Sequence, residues 1–312
     1  MKILVTGGAG FIGSHIVDAY IKLGHQVVII DNLSTGNIHN VNSDATFIKD
    51  DVKNPELEQV FREFKFDVVN HHAAQINVRR SLDDPLFDAE VNIIGSLNIL
   101  NLLAKHKIKR FIFASSGGAI YGEPDRYPIT EDFPTEPFSP YGVAKLTVEN
   151  YIKVFSKLYN FNYVILRYSN VYGPRQISKS EAGVISIFIN QILENKECFV
   201  NGDGEQTRDY VYVGDVVKAN VLALNAKSDF FNIGTGVETS VNKLLDVLSQ
   251  ILNREIPHRH RAPIPGEVLK NVLNFSKAKN LLGWIPEIPL SKGIELTYQY
   301  FYNEKQNKVS RT

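Results

Sequence analysis

The sequence predicts an α/β fold: a doubly wound parallel sheet with a smaller, mixed α/β C-terminal substrate lobe. Three observations predict it. Short apolar strand runs alternate with helix-period segments from residue 1 to about 115. A glycine turn, Gly7-Gly8-Ala9-Gly10-Phe11-Ile12-Gly13, joins the first such run to the first helix. Polar clusters fall at the carboxyl ends of the predicted strands, where an open parallel sheet binds its ligand. Together these describe a sheet of the Rossmann type.

The elements follow in order. Met1 to Thr6 is an apolar strand, and Ser14 to Leu23 is a helix with Ile16, Val17, Tyr20 and Ile21 on one face. A second strand, Gln26 to Ile30, ends on Asp31, 18 residues after Gly13. Glycines there let the backbone turn tightly against a pyrophosphate, and the helix N-terminus offers free N–H groups. A carboxylate at Asp31 suits a ribose 2′-OH and repels a 2′-phosphate, which favours NAD over NADP. Further strands are expected at 45–48, 67–72, 110–114 and 163–167, with helices over 84–105 and 140–159. Beyond about residue 175 the pattern loosens into a helix at 183–193, short strands at 198–200 and 230–234, and a helix at 241–252. The expected division is a nucleotide-binding domain over 1–175, to which about 211–237 returns, and a substrate lobe over 176–312. The polar tail from Asn303 to Thr312 is expected to fray.

Composition narrows the partners. Of 312 residues, 34 are basic and 34 acidic, so net charge gives no reason to expect nucleic acid or an anionic membrane. The first apolar run leads straight into the glycine turn, which argues against a signal peptide. No stretch approaches 18 consecutive apolar residues. The lone Cys198 rules out an intrachain disulfide and fits a reducing compartment, so a cytoplasmic location is expected.

Tyr141 and Lys145 stand four apart, on one helix face. A free phenol titrates near pH 10 and is a poor base at neutrality. A neighbouring ammonium and a nicotinium ring are expected to favour the phenolate and lower its pKa. Ser116, at the end of the fifth strand, is placed to share a proton with the same substrate hydroxyl. Tyrosine, lysine and nicotinamide together point to hydride transfer at a carbinol carbon. His71 and His72, at a strand end, read as packed or hydrogen-bonded residues. The His258-Arg259-His260-Arg261 run reads as solvated charge beside a phosphate, and no metal is expected.

At these residues the chain resembles the extended short-chain dehydrogenase/reductases that act on nucleotide sugars, and within them the UDP-glucose 4-epimerases. The resemblance rests on Gly7 to Gly13, His72-Ala73-Ala74, Asn92 to Ser96, Ser115 to Gly122 and Tyr141 to Lys145. It continues through Arg167 to Pro174, Arg208 to Val216, and Pro265 to Val268. It implies that Gly7, Gly10, Phe11, Ile12 and Gly13 hold NAD. Asp31 and Asn32 would take its ribose, Asp51 and Val52 its adenine, and Ala73, Ala74 and Gln75 its diphosphate side. Lys145 would reach the nicotinamide ribose, with Asn92, Tyr168, Asn170 and Val171 completing the site. For a UDP-sugar it implies Ser116 and Tyr141 at the sugar, Asn170 and Arg208 at the diphosphate, and Val200 and Asn201 near the uracil. Glu267 would accept from the uridine ribose, and Asn271 would set the size of the sugar pocket. A homodimer through the helices at 84–105 and 141–159 is also implied.

Dehydratases and decarboxylases of this kind carry an acid just after the strand-end Ser or Thr. Here that place is Gly117-Gly118, which leaves oxidation followed by re-reduction at the sugar C4′, through a 4-keto intermediate. Two departures stand out: Ser115 competes with Ser116, and Ile264 replaces a common arginine, for which Arg259 or Arg261 would substitute. A small Asn271 raises the expectation that N-acetylated UDP-sugars also fit. The competing readings are an epimerase for another nucleotide sugar such as a uronate, a net dehydrogenase or dehydratase that releases NADH or finds another acid, and a non-catalytic NAD sensor.

Overall fold

The computed structural model describes residues 1–177, 183–263 and 268–309. Six strands alternate with helices along the first half: β1 Lys2–Thr6, β2 Gln26–Ile30, β3 Thr46–Ile48, β4 Val68–His71, β5 Arg110–Ser116 and β6 Asn162–Tyr168. Shorter strands follow: β7 Asn170–Tyr172, β8 Cys198–Asn201, β9 Thr207–Arg208 and β10 Tyr210–Tyr212. The last four are β11 Asp229–Ile233, β12 Thr239–Ser240, β13 His258–Arg261 and β14 Lys270–Asn271. Seven of them form one parallel sheet in the order β11-β6-β5-β4-β1-β2-β3. Strand order reverses between β1 and β4, so the connections leaving their carboxyl ends run to opposite sides and open a crevice there.

Alternation along the central strands explains the two cores. Ile3 and Val5 face one layer with Val17, Tyr20 and Trp284, while Leu4 faces the other with Phe61, Leu103, Phe111 and Val148. Helix α1 (Phe11–Lys22) begins three residues before the expected start, because Gly10 is already extended and serves as its N-cap. Helix α2 is Glu58–Phe64. The expected helix over 84–105 is a broken run: α3 Val78–Asp83, α4 Pro85–Ala89, a π turn at Glu90–Ile94, and α5 Gly95–Lys105. By length and composition, residues 85–105 are apolar enough to cross a membrane. Ile99, Leu100 and Leu103, however, are fully buried against the sheet.

Helix α6 (Pro140–Tyr159) starts cleanly, with Pro140 in its first turn and the Ser139 Oγ accepting from the Gly142 N–H at 3.1 Å. Tyr141, Lys145 and Glu149 recur every four residues on its inner face. Glu149 is fully buried and takes two bonds from Arg167 of β6, at 3.0 and 2.6 Å, and one from the Ser115 hydroxyl of β5 at 2.6 Å. Arg167 also donates to the Tyr121 hydroxyl at 2.6 Å, which donates in turn to Asn232 of β11 at 2.8 Å.

A third core, around Ile185, Phe188, Leu244, Leu248 and Ile294, lies in the C-terminal part with α7 (Val184–Leu193), α9 (Val241–Leu252) and α10 (Leu290–Val309). Between α7 and α9, α8 (Val213–Ala223) returns to pack on α1, and β11 joins the main sheet beside β6. Helix α10 runs through the segment expected to fray as far as Val309; the last three residues lie outside the described ones.

The buried ion pair generates a stability prediction. Glu149→Ala leaves the Arg167 charge buried and uncompensated, and should lower unfolding free energy by about 3–5 kcal/mol. Denaturant titration followed by circular dichroism measures it, and a loss under about 1 kcal/mol contradicts this account.

Candidate active site

The crevice at the strand-order reversal is a cleft walled by the glycine turn. Gly7 has φ +69°, and a Cβ there would lie 2.7 Å from the Ala73 nitrogen. A Cβ on Gly13 would lie 2.2 Å from the Gly7 carbonyl oxygen. Only glycine allows this close approach of turn, helix and the chain after β4. Phe11, Ile12 and Gly13 occupy the first helical turn, where backbone N–H groups have no intrahelical partner, and they line the cleft. A phosphate-sized cradle with a positive dipole end fits a dinucleotide pyrophosphate.

Asp31, at the end of β2, is nearly buried. Its Oδ2 accepts from the Ala9 N–H at 3.0 Å and its Oδ1 from the Leu33 N–H at 2.8 Å. Each oxygen can still accept a further bond, and the residue lines the cleft with Asn32, Asp51 and Val52. Asn32 donates to the Asp51 carboxylate at 3.0 Å, tying the ends of β2 and β3 together. Ala73, Ala74 and Tyr168 form the opposite wall.

Gln75 and Asn92 stand behind that wall. The Gln75 N–H donates to Asn92 Oδ1 and the Asn92 amide donates to the Gln75 carbonyl, both at 2.9 Å, so the pair shapes the loop after β4. His71 is also structural. Ser96 Oγ gives its proton to the Asn92 carbonyl, so His71 Nε2 donates to Ser96 at 2.9 Å and His71 Nδ1 accepts from Thr6 at 2.6 Å. His72 does line the cleft, where Asn220 donates to the Tyr168 hydroxyl and that hydroxyl donates to His72 Nε2 at 3.1 Å. Burial holds both imidazoles neutral, with pKa values pushed down to about 3.

Tyr141 and Lys145 enter the cleft from the first turns of α6. The Ser116 side chain stands near enough to the Tyr141 phenol to favour its ionised form. Ser115, one residue earlier, borders the cleft, but its hydroxyl is given to Glu149. Lys145 donates to the Ala114 carbonyl at 2.9 Å, and its Nζ lies 5.8 Å from the Tyr141 ring centre.

The protein's own surroundings act on the protonation of both groups. Burial pushes Tyr141 up to about 12, against the nearby Ser116 side chain and with the Asp88 charge adding to the rise. Burial likewise pushes Lys145 down to about 8, against Asp88 and Glu149. A dry site penalises both charged forms, and one ammonium turned toward a carbonyl does not offset that for the phenolate.

The remaining candidates lie beyond β6, mostly in the C-terminal part. Arg208 of β9 pairs in register with Asn271 of β14 and donates to the Thr207 carbonyl at 2.9 Å. Asn271 is buried, donates to the Gly117 carbonyl at 3.3 Å, and leaves its Oδ1 without a hydrogen-bond partner. Asn170 and Val171 lie on β7, just beyond β6. Val200 of β8 has its side chain in the third core, so it offers a ligand only backbone, while Asn201 follows it half-buried. Glu267 and Ile264 lie outside the described residues. The His258–Arg261 run is an exposed strand, β13, beside β8. Its His258 and His260 Nδ1 atoms bond to backbone carbonyls, and the Arg261 guanidinium sits 3.3 Å from the centre of the Phe199 ring.

Known proteins resemble this arrangement throughout. Residues 3–234 match the model of the NAD dependent epimerase/dehydratase family. The chain belongs to that family. A UDP-glucose 4-epimerase of Mycolicibacterium smegmatis is 40% identical over 98% of this chain and 100% of its own. The crystal structure of a Thermotoga maritima UDP-glucose 4-epimerase with UDP-glucose is 45% identical, covers 98% of this chain and 100% of its own, and superposes with a TM-score of 0.96. A Methanobrevibacter ruminantium UDP-N-acetylglucosamine 4-epimerase is 36% identical, covers 97% and 98% of the two chains, and gives 0.92.

In this family member the cleft also holds residues that the pattern reading passed over: Ser34, Thr35, Asp50, Ile76 and Val91. Ser34 and Thr35 follow Asp31 in a short polar run before Gly36, and that run was the available signal. Ile76 and Val91 carried none, since an apolar residue at a loop or helix edge looks like core.

The Lys145 shift predicts a pH limit. Its charge is lost as pH rises through about 8, well below an ordinary lysine, so turnover should decline over that interval. A pH–rate profile checks this, and a rate that stays level from about pH 7 to 9.5 contradicts it.

Proposed function

We propose that this protein is a UDP-hexose 4-epimerase that interconverts UDP-glucose and UDP-galactose. It is an isomerase, and its cofactor is NAD. One observation carries the choice among the family's reactions: the Ser116 side chain stands near the Tyr141 phenol, and glycines rather than an acid follow it at 117 and 118. A Cβ on Gly117 would lie 2.5 Å from Leu273 Cδ1, so a side chain there would require Leu273 to shift. Without a second proton donor, elimination is disfavoured, and reversible oxidation at C4′ remains. The end-to-end UDP-glucose 4-epimerase relatives support the same reading.

The residues then take these roles. Tyr141, with Ser116 beside it, removes the 4′-hydroxyl proton and returns it after the 4-keto sugar has turned over. Lys145 holds its charge beside the phenol and reaches the nicotinamide ribose. The glycine cradle, Asp31, Asn32, Asp51 and Val52 grip the dinucleotide. Bound NAD supplies the hydride acceptor and the positive ring that offsets the burial cost of the phenolate. Arg208 and Asn170 take the UDP diphosphate, where a guanidinium suits two phosphate oxygens at once. Leu86, Ile94, Val143, Val154 and Leu158 are exposed along 85–105 and 140–159 and support a homodimer. The lone, buried Cys198 supports a cytoplasmic location.

A second reading has its own observation. The unpartnered Asn271 Oδ1, on a side chain far smaller than tyrosine, supports turnover of the N-acetylated pair UDP-GlcNAc and UDP-GalNAc as well.

Purified protein given UDP-glucose without added NAD should form UDP-galactose and elute as a dimer. Tyr141→Phe should abolish conversion while NAD stays bound, and residual activity above about one part in a hundred removes Tyr141 from the role. Parallel assays on the acetylated pair decide the second reading, which no conversion would end.

A further inference from the structure

Asp209 lies between Arg208 and Tyr210, and its carboxylate is fully buried. It accepts four hydrogen bonds. Oδ1 takes the Thr235 N–H at 2.8 Å and the Thr235 hydroxyl at 2.6 Å. Oδ2 takes the Gly236 N–H at 3.1 Å and the Leu273 N–H at 3.2 Å. All four partners are donors, and only an ionised carboxylate accepts from all of them. The backbone of the same residue extends the hub, since its carbonyl accepts the Asn170 N–H at 2.9 Å.

The three segments that carry Asn170, Arg208 and Asn271 are separated in sequence by tens of residues. Each is tied to this one residue. Asn170 bonds directly to the Asp209 carbonyl, Arg208 is its chain neighbour, and Asn271 is two residues from the Leu273 amide. Leu273 is also the side chain that closes the space over Gly117. The hub is tightly enclosed, because a Cβ on Gly234 would lie 2.4 Å from Asp209 Oδ2.

We infer that Asp209 is a positioning residue for the UDP-sugar: its carboxylate sets the spacing of Arg208 and Asn271 and holds Leu273 over Gly117, while its backbone carbonyl holds Asn170. It touches neither substrate nor cofactor, and it acts through the residues that do. The inference rests on the placing of those residues at the UDP-sugar under the proposed function.

Three variants test it. Asp209→Asn keeps the size but offers N–H groups to N–H donors, and should raise KM for UDP-glucose about tenfold or more. Thr235→Val removes the hydroxyl's bond to Asp209, along with the one it accepts from the Val237 N–H, leaves the other three bonds to the carboxylate, and should raise KM about fivefold with kcat changed far less. Thr235→Ser restores the hydroxyl and should return KM to the wild-type value. Bound NAD should be unchanged in all three, because the hub makes no bond to the glycine cradle. A general loss of structure would lower melting temperature without this split between KM and kcat. Wild-type KM in Thr235→Val overturns the assignment, whether or not Asp209→Asn folds, and so does failure of Thr235→Ser to restore it. Wild-type protein inactive on UDP-glucose overturns the proposed function itself, and this inference with it; an active wild type with unmoved variants overturns only the inference.

Discussion

The ion pair between Glu149 and Arg167 is the interaction on which the catalytic geometry depends. Both groups are buried, and each oxygen of Glu149 has a donor: Arg167 supplies both, and Ser115 adds a third bond. A buried pair of charges adds little net stability over an apolar pair, but it tolerates few alternative arrangements. It locks α6 to β5 and β6 at one register. Because Tyr141, Lys145 and Glu149 share a helix face, that lock also aims the phenol and ammonium at the end of β5. Ser115 is consumed in the lock, and this is why Ser116 is the serine left facing Tyr141.

The same dryness that makes the lock specific controls protonation. Burial raises the phenol and lowers the ammonium, so each charged form depends on a compensating neighbour.

Much of the fold was legible because it follows local rules. Strands β1, β2, β4, β5 and β6 are apolar runs, and α6, α7 and α9 show helical spacing with clear boundaries. Strands β9, β12 and β14 were not legible, since two residues carry no periodicity and exist only by pairing with each other. Strand β13 is four charged or polar residues in a row, without alternation to mark a buried face. The π turn at Glu90–Ile94 likewise has no sequence signature here, and α10 outlasts its polar composition because its inner face packs on the third core. In the cleft, the glycines and Asp31 were readable from spacing. Gln75 and Asn92 were placed on the cofactor by resemblance, yet they bond to each other behind the wall.

By itself the sequence determined the features that lie within one turn or one strand of each other: the glycine cradle, the acid after β2, and a phenol and an ammonium four residues apart on a helix. Backbone sterics and helical periodicity act at that range, so they can be read from spacing. Only the tertiary structure decided which serine meets Tyr141, how far burial disfavours the phenolate, and what a side chain at position 117 would displace. Each of those depends on a partner distant in the chain — Glu149 for Ser115, the enclosing walls for Tyr141, Leu273 for Gly117 — and burial against such partners exists only once the chain has folded.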